Sequence, residues 1–304
     1  MDLALTDDQR AILDALDSLA RPYATPTAHD TSFALTSDPL NRALIEGGFL
    51  DVALDPDLGA VTAGIVVERL AQLPYAVEAG ASALVRPLLG ADFPHRVCLV
   101  EAGRERRPIR FLQAGAGVVL IGDGAVTSFT ASSDQVRSEP EALYGYPMGS
   151  LTGLPAARTV LDVSAAEVRT RWRIALAAEA AGLLAAALET TCDYLTDRQQ
   201  FGRPLATFQA LRHRLAEAQV RTNGVYWLAL KAAAGLDAGD AAFAAFHAQE
   251  SARAVVYDLH QFMGAMGMTL EHPLHLWTYR LKALIGELGG RGAQALAAAD
   301  AVWG

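Results

Sequence analysis

The chain is poor in the residues from which function is most readily read by composition. It holds two cysteines, Cys98 and Cys192, far apart in its 304 residues. No Cys-x-x-Cys and no Cys/His cluster at ligand spacing accompanies them, which argues against a metal site. Two buried, reduced thiols are expected instead. Basic residues are outnumbered, 25 against 34 acidic, for a net charge of −9. A chain so charged lacks the basic stripe that general nucleic-acid binding requires, and nothing draws it to an anionic membrane. Long hydrophobic runs are missing too. The most apolar stretch, 174–188, is mostly alanine and contains Glu179, too short and too weak for a membrane span. The opening acids Asp2, Asp7 and Asp8 suit neither a signal peptide nor a transit peptide. A soluble, cytoplasmic protein is the expectation, without nucleic-acid or membrane partners.

What is present favours helix. Hydrophobic residues make up 52% of the chain while aromatics are only 7%. The apolar content is dominated by alanine and leucine, which lose little on entering a helix. The length suggests about two domains, and the pattern divides into three blocks.

Residues 1–92 read as helices. Thr6-Asp7-Asp8-Gln9 forms a capping box ahead of Ile12, Leu13, Leu16 and Leu19, and Pro22 and Pro26 end that helix. Further helices are predicted over 38–46, 60–73 and 77–89. Residues 93–162 change character. Short β-branched runs at 97–100, 109–112, 118–121 and 126–130 are separated by glycines and charges, the pattern of a small strand meander. Residues 140–155, rich in glycine, proline and tyrosine, read as loop. Residues 163–304 are strongly helical. Ser164-Ala165-Ala166-Glu167 opens a helix of more than 30 residues. A second helix runs over about 207–234, a third is capped by Asp240 and reaches Met263, and a fourth starts near Pro273. A short terminal helix follows. Long helices joined by short turns imply an antiparallel bundle.

Two segments of the third block carry chemistry. The first, Arg198-Gln199-Gln200-Phe201-Gly202-Arg203-Pro204-Leu205-Ala206-Thr207-Phe208-Gln209, joins two long helices. It resembles the R-x-x-F-G-x-x-(L/I)-x-x-F-Q signature of the acyl-CoA dehydrogenases. The second, Gln261 to Pro273, is similar to that family's Q-x-x-G-G-x-G-(F/Y)-x-x-E-x-P. Gln261, Gly264 and Gly267 match, while Ala265 replaces the second glycine. Fainter likeness lies at 44–50 and 66–71. The resemblance implies a mainly α fold: an N-terminal helical domain over 1–92, a reduced β middle region over 93–162, and a C-terminal antiparallel bundle over 163–304 that forms the flavin site and the dimer. It implies FAD as cofactor. Arg198 and Phe201 would meet the pyrophosphate and the adenosine or flavin portion, with Gln261, Gly264 and Ala265 along the adenine dinucleotide edge at a subunit interface. An arginine fork suits phosphate oxygens, and glycine lets backbone approach a cofactor closely.

The reaction so implied removes a proton from the α-carbon of an acyl thioester and a hydride from the β-carbon. A carboxylate in a dry cleft takes the proton. In the family that carboxylate is a glutamate at one of two places. About 29 residues before Phe201 stands Trp172, followed by Arg173; about 15 after Pro273 stands Leu288, with Glu287 beside it. Glu287 is thus the candidate base, against the plainer reading of a solvated residue at a helix end. No tryptophan lies between 93 and 162 to pack on a flavin ring. Three readings follow. The chain pairs with a second acyl-CoA dehydrogenase-like subunit in an α2β2 assembly, the partner supplying the base for a bulky, possibly steroid, acyl-CoA. Or it is a homo-oligomer working through Glu287. Or it is a scaffold that kept the bundle and lost the cofactor. An electron-transfer flavoprotein is the implied electron acceptor. Glu271, His247, His260, His272 and His275 are expected to be structural or on helix surfaces, and Trp172, Trp227 and Trp277 to anchor core or interface.

Overall fold

A computed structural model describes residues 4–26 and 32–304; Asp2 lies outside them. α1 (Asp7–Ala20) starts at the expected box, with the Thr6 hydroxyl accepting from Gln9 N. It buries Leu13 and Leu16 and gives way at Pro22 to a short 3-10 turn. α2 (Asp38–Glu46) is capped by Ser37, and α3 (Gly59–Ala71) is nearly all apolar and buried. The helix expected over 77–89 is instead two short ones, α4 (Gly80–Leu84) and α5 (Arg86–Leu89). The reason is Pro87, which has no N–H to give to the turn before it.

The middle block is not a meander. β1 (Val97–Glu101) pairs in parallel with β3 (Gly117–Ile121). β4 (Val126–Thr130) and β7 (Thr159–Leu161) follow antiparallel in the order β1-β3-β4-β7. β2 (Ile109–Arg110) leaves that sheet and pairs with β6 (Met148–Leu151), which also pairs β5 (Val136–Ser138). β6 lies within the segment read as loop. Its four residues are all buried, so no apolar alternation marks it, and the surrounding glycines and prolines mask it.

α6 (Ala165–Asp197) is the axis of the molecule. Ser164 and Glu167 cap it reciprocally, and its small side chains let neighbours come close. A hairpin of β8 (Gln199–Gln200) and β9 (Arg203–Pro204) turns the chain into α7 (Gln209–Gly235) and then α8 (Ala238–Met263). The cap of α8 is Asp237, accepting from Asp240 N, and not Asp240 itself. α9 (His275–Ile285) and α10 (Gly290–Trp303) complete the bundle. One apolar core runs through α1, α2, α3 and α4 and on through α6 to α9. Among the described residues only α6 is long and apolar enough to cross a membrane; 83% of its apolar window is buried inside the molecule. His275 departs from expectation: it is buried, its ring bonded to the carbonyls of His272 and Ser32.

Candidate active site

Where β2 meets α6 and the turn after α9, the fold leaves a cleft of about 280 Å³. Its centre is Arg110. The guanidinium donates from Nε to Glu287 Oε1 at 2.5 Å and from Nη1 to both oxygens of Glu179 at 3.0 and 3.1 Å. The Tyr146 hydroxyl donates to Glu179 Oε1 at 2.6 Å, and the Tyr146 ring lies 4.7 Å under the guanidinium. Trp172 Nε1 donates to Glu287 Oε2 at 2.9 Å. The side chains of Arg110, Glu179 and Glu287 are only 18%, 8% and 17% exposed. Burial would lower the affinity of Arg110 for its proton, but the charges of Glu179 and Glu287 outweigh it and hold the guanidinium firmly charged. Burial, with the Glu179 charge, pushes the Tyr146 phenol well above its ordinary value, so it stays a donor.

A third carboxylate lines the same cleft. Glu78 accepts from Ala81 N at 3.0 Å, from Val97 N at 3.1 Å and from the Ser82 hydroxyl. Burial raises its pKa despite those donors.

The turn that carries Glu287 is held from two helices. Gln249 of α8 donates to the carbonyls of Leu284 and Glu287 at 2.9 and 3.0 Å. Gln294 of α10 donates to Leu288 O at 2.5 Å and accepts from Arg173 Nε at 2.7 Å. Leu288 sits at φ 53°, a left-handed conformation unusual for a branched apolar residue. Trp172 and Glu287, at and beside the two places where the resemblance implies a base, therefore touch here. Trp172 occupies the first, and its indole N–H bonds the carboxylate nearest the second.

The cofactor candidates lie elsewhere, at one end of the bundle. Thr191 Oγ1 is 3.8 Å from Met263 Sδ, and the Tyr194 and His272 rings are 5.6 Å apart, so the C-terminal ends of α6 and α8 adjoin. Arg198 and Phe201 hang off the first, Gln261, Gly264 and Ala265 off the second. All five are exposed. Phe201, at φ 55°, is 86% exposed, held out by the hairpin and touched edge-on by Phe208. Gly264 has φ 57°, and a Cβ built on it would meet nothing within 4 Å. Gln261, Gly264, Tyr257 and Met268 line a groove of about 680 Å³. An exposed arginine, an outward phenylalanine and bare backbone beside a groove fit the phosphate and adenosine end of a dinucleotide. No described element of the middle sheet offers a tryptophan for its ring. The fit is to one edge of FAD.

Sequence reasoning singled out Glu287 and five residues that the structure brings to one end of the bundle, and it missed what Glu287 touches. Arg110, Glu179, Tyr146 and Glu78 carry no motif. One signal was available: Glu179 is a lone charge in an alanine-rich helix, and a buried charge calls for a partner.

The two motifs resemble those of the acyl-CoA dehydrogenases, and comparison with known proteins points the same way. Residues 162–296 match the family described as acyl-CoA dehydrogenase, C-terminal domain. The acyl-CoA dehydrogenase IpdE2 of Mycolicibacterium smegmatis is 26% identical over 302 residues, 91% of this chain and 93% of that protein. The acyl-CoA dehydrogenase FadE34 of Mycobacterium tuberculosis is 34% identical over 189 residues, 59% of this chain but only 27% of that longer protein. Among solved structures, the ChsE4-ChsE5 complex from Mycobacterium tuberculosis superposes with a TM-score of 0.78, at 23% identity and 99% of each chain. Residues 162–296 carry the C-terminal domain of the acyl-CoA dehydrogenases, the chain as a whole shares the fold of solved family members, and FAD is the cofactor so indicated.

Proposed function

We propose that this chain is the subunit of a heteromeric, FAD-dependent acyl-CoA dehydrogenase that lends a cofactor edge and leaves the proton-abstracting carboxylate to an unlike partner. One observation carries the reading. The carboxylate nearest a family base position, Glu287, has both oxygens engaged by Arg110 and Trp172. A general base needs a free lone pair within hydrogen-bond reach of the proton it takes. Three donors already hold Glu287 in place, and Trp172 fills the alternative position.

In this reading Arg198 holds pyrophosphate oxygens, and Phe201 packs on the adenosine or ring portion. The backbone at Gly264 and Ala265, with Gln261, borders the adenine end. The flavin, when bound, accepts the hydride from the substrate β-carbon. The neighbour titled ChsE4-ChsE5 is itself a complex, which supports an assembly of unlike chains. A further solved neighbour, the Tcur3481-Tcur3483 steroid ACAD (20% identical, TM-score 0.71), favours a bulky, steroid-derived thioester as substrate. Electrons then pass to an electron-transfer flavoprotein, and the assembly is cytoplasmic.

Expression tests this directly. Alone, the chain is expected to purify with little or no flavin. Co-expressed with an acyl-CoA dehydrogenase-like subunit that has a glutamate where this chain has Trp172, it should co-purify as a yellow complex bleached by acyl-CoA. A yellow chain that is bleached by acyl-CoA without any partner would refute the reading.

A further inference from the structure

Inside the Arg110 cleft the acidic side chains are matched. Glu179 and Glu287 share Arg110, and buried Arg280 lies within reach of the Glu179 charge. Glu101 accepts from Arg169 with both oxygens, each at 2.8 Å. Burial drives Glu78 toward its neutral form. At the border the cations are not matched. Arg104 and Arg107, on the loop between β1 and β2, line the cleft, are exposed and lie in no ion pair among the described residues. Lys282 of α9 lines it as well, also without an acidic partner among those residues, and rests 3.9 Å from the Tyr279 ring centroid. Successive turns fix the arginine loop: Arg104 N donates to Glu101 O at 3.0 Å and Arg107 N to Arg104 O at 3.1 Å. Glu105, the acid between the two arginines, is engaged by Gly103 N at 2.8 Å. In a chain of net charge −9 the border of this cleft is thus positive, and the walls behind it include Leu99, Met148 and Ala175. Unpaired cations beside a narrow, partly apolar cleft suit a ligand that carries clustered phosphates on a slender arm. Coenzyme A has that form, with a pyrophosphate and a 3′-phosphate at one end and pantetheine at the other.

We propose that this chain's own cleft is a silent coenzyme A site, which holds the phosphates of CoA or of a CoA thioester through Arg104, Arg107 and Lys282 and catalyses nothing. This rests on the reading that the partner supplies the base. Trp172 occupies one base position, and three donors hold Glu287 beside the other, so a thioester bound here keeps its α-proton. Each pair of unlike chains then carries one reacting CoA site and one silent one.

Calorimetric titration of the purified chain with free CoA tests the site without any chemistry. Each chain should bind a single CoA. Pantetheine, which keeps the arm and lacks every phosphate, should bind at least about tenfold weaker, and so should CoA to the double variant Arg104→Ser, Arg107→Ser, two charge-assisted contacts being lost at a partly screened site. Both side chains are exposed and unpaired, so the thermal midpoint of that variant should stay within about 2 °C of the parent. Lys282→Gln is an independent second variant, expected to weaken CoA about threefold or more. In the complex, free CoA should titrate to two equivalents per pair of unlike chains, and to one when this chain carries the double substitution. Three results would overturn the silent site and leave the partner reading standing: no CoA bound by the chain alone, pantetheine bound as tightly as CoA, or unchanged affinity in the double variant. If the double variant also abolishes bleaching of the complex by acyl-CoA, this cleft is the reacting one and the proposal falls. Bleaching of the chain by acyl-CoA without any partner would overturn the partner reading itself.

Discussion

Arg110 is the residue on which the cleft depends. It sits on a two-residue strand, with Glu179 69 positions away in sequence and Glu287 177 away. Taking charges out of water is costly, and their mutual attraction repays that cost only when every member is paired. Arg110→Met removes the cation that pairs with both carboxylates and leaves them without it. Loss of one partner of a buried pair typically costs about 3–5 kcal/mol, and the side chains here are buried enough to expect that range. Chemical denaturation should show the loss. Adding Glu179→Gln to Arg110→Met should recover part of it, because one of the stranded charges is then gone. If the double variant is no more stable than the single, the network acts through shape and not through charge.

Among the elements, α6 shows how local sequence governs approach. A Cβ at Gly182 would lie 2.0 Å from the Glu68 carbonyl oxygen and 2.9 Å from the Ala71 Cβ, so α3 can reach α6 only because that side chain is hydrogen. Gly182→Ala should destabilise by at least about 2 kcal/mol through overpacking, in spite of alanine's advantage of about 1 kcal/mol in a helix. At Gly80 the added Cβ would find ordinary contacts, 3.4 Å from Ala175 and 3.7 Å from Glu179, and Gly80→Ala should be near neutral. Thermal unfolding of the two variants side by side checks the contrast. The long helices of the bundle and their caps were legible because caps and apolar periodicity are local. The parallel β1–β3 pair and the displaced β2–β6 pair were not, because strand partnership depends on the rest of the chain. The cleft fell on the illegible side. Arg110, Glu179 and Glu287 come from three distant elements, and only the fold tells which charges will share a site. The residues that sequence likeness singled out come together because two compact motifs, at 198–209 and 261–273, sit on neighbouring helix ends.

At the scale of the molecule, the chain keeps the family's bundle, a small middle sheet and an exposed cofactor edge, and it uses its own interior carboxylates to hold an arginine. On the proposed reading such a chain completes a site with its partner. The most direct test is single-turnover reduction of the flavin by acyl-CoA, followed by visible absorbance, in the complex carrying Glu287→Gln in this chain. If the partner supplies the base, the rate should fall less than tenfold, since glutamine keeps the size of the side chain and an oxygen that can accept from Trp172, and the carboxylate takes no proton. A loss of 10²- to 10⁴-fold, the scale of a missing general base, would contradict the account and make Glu287 the catalytic carboxylate of this chain.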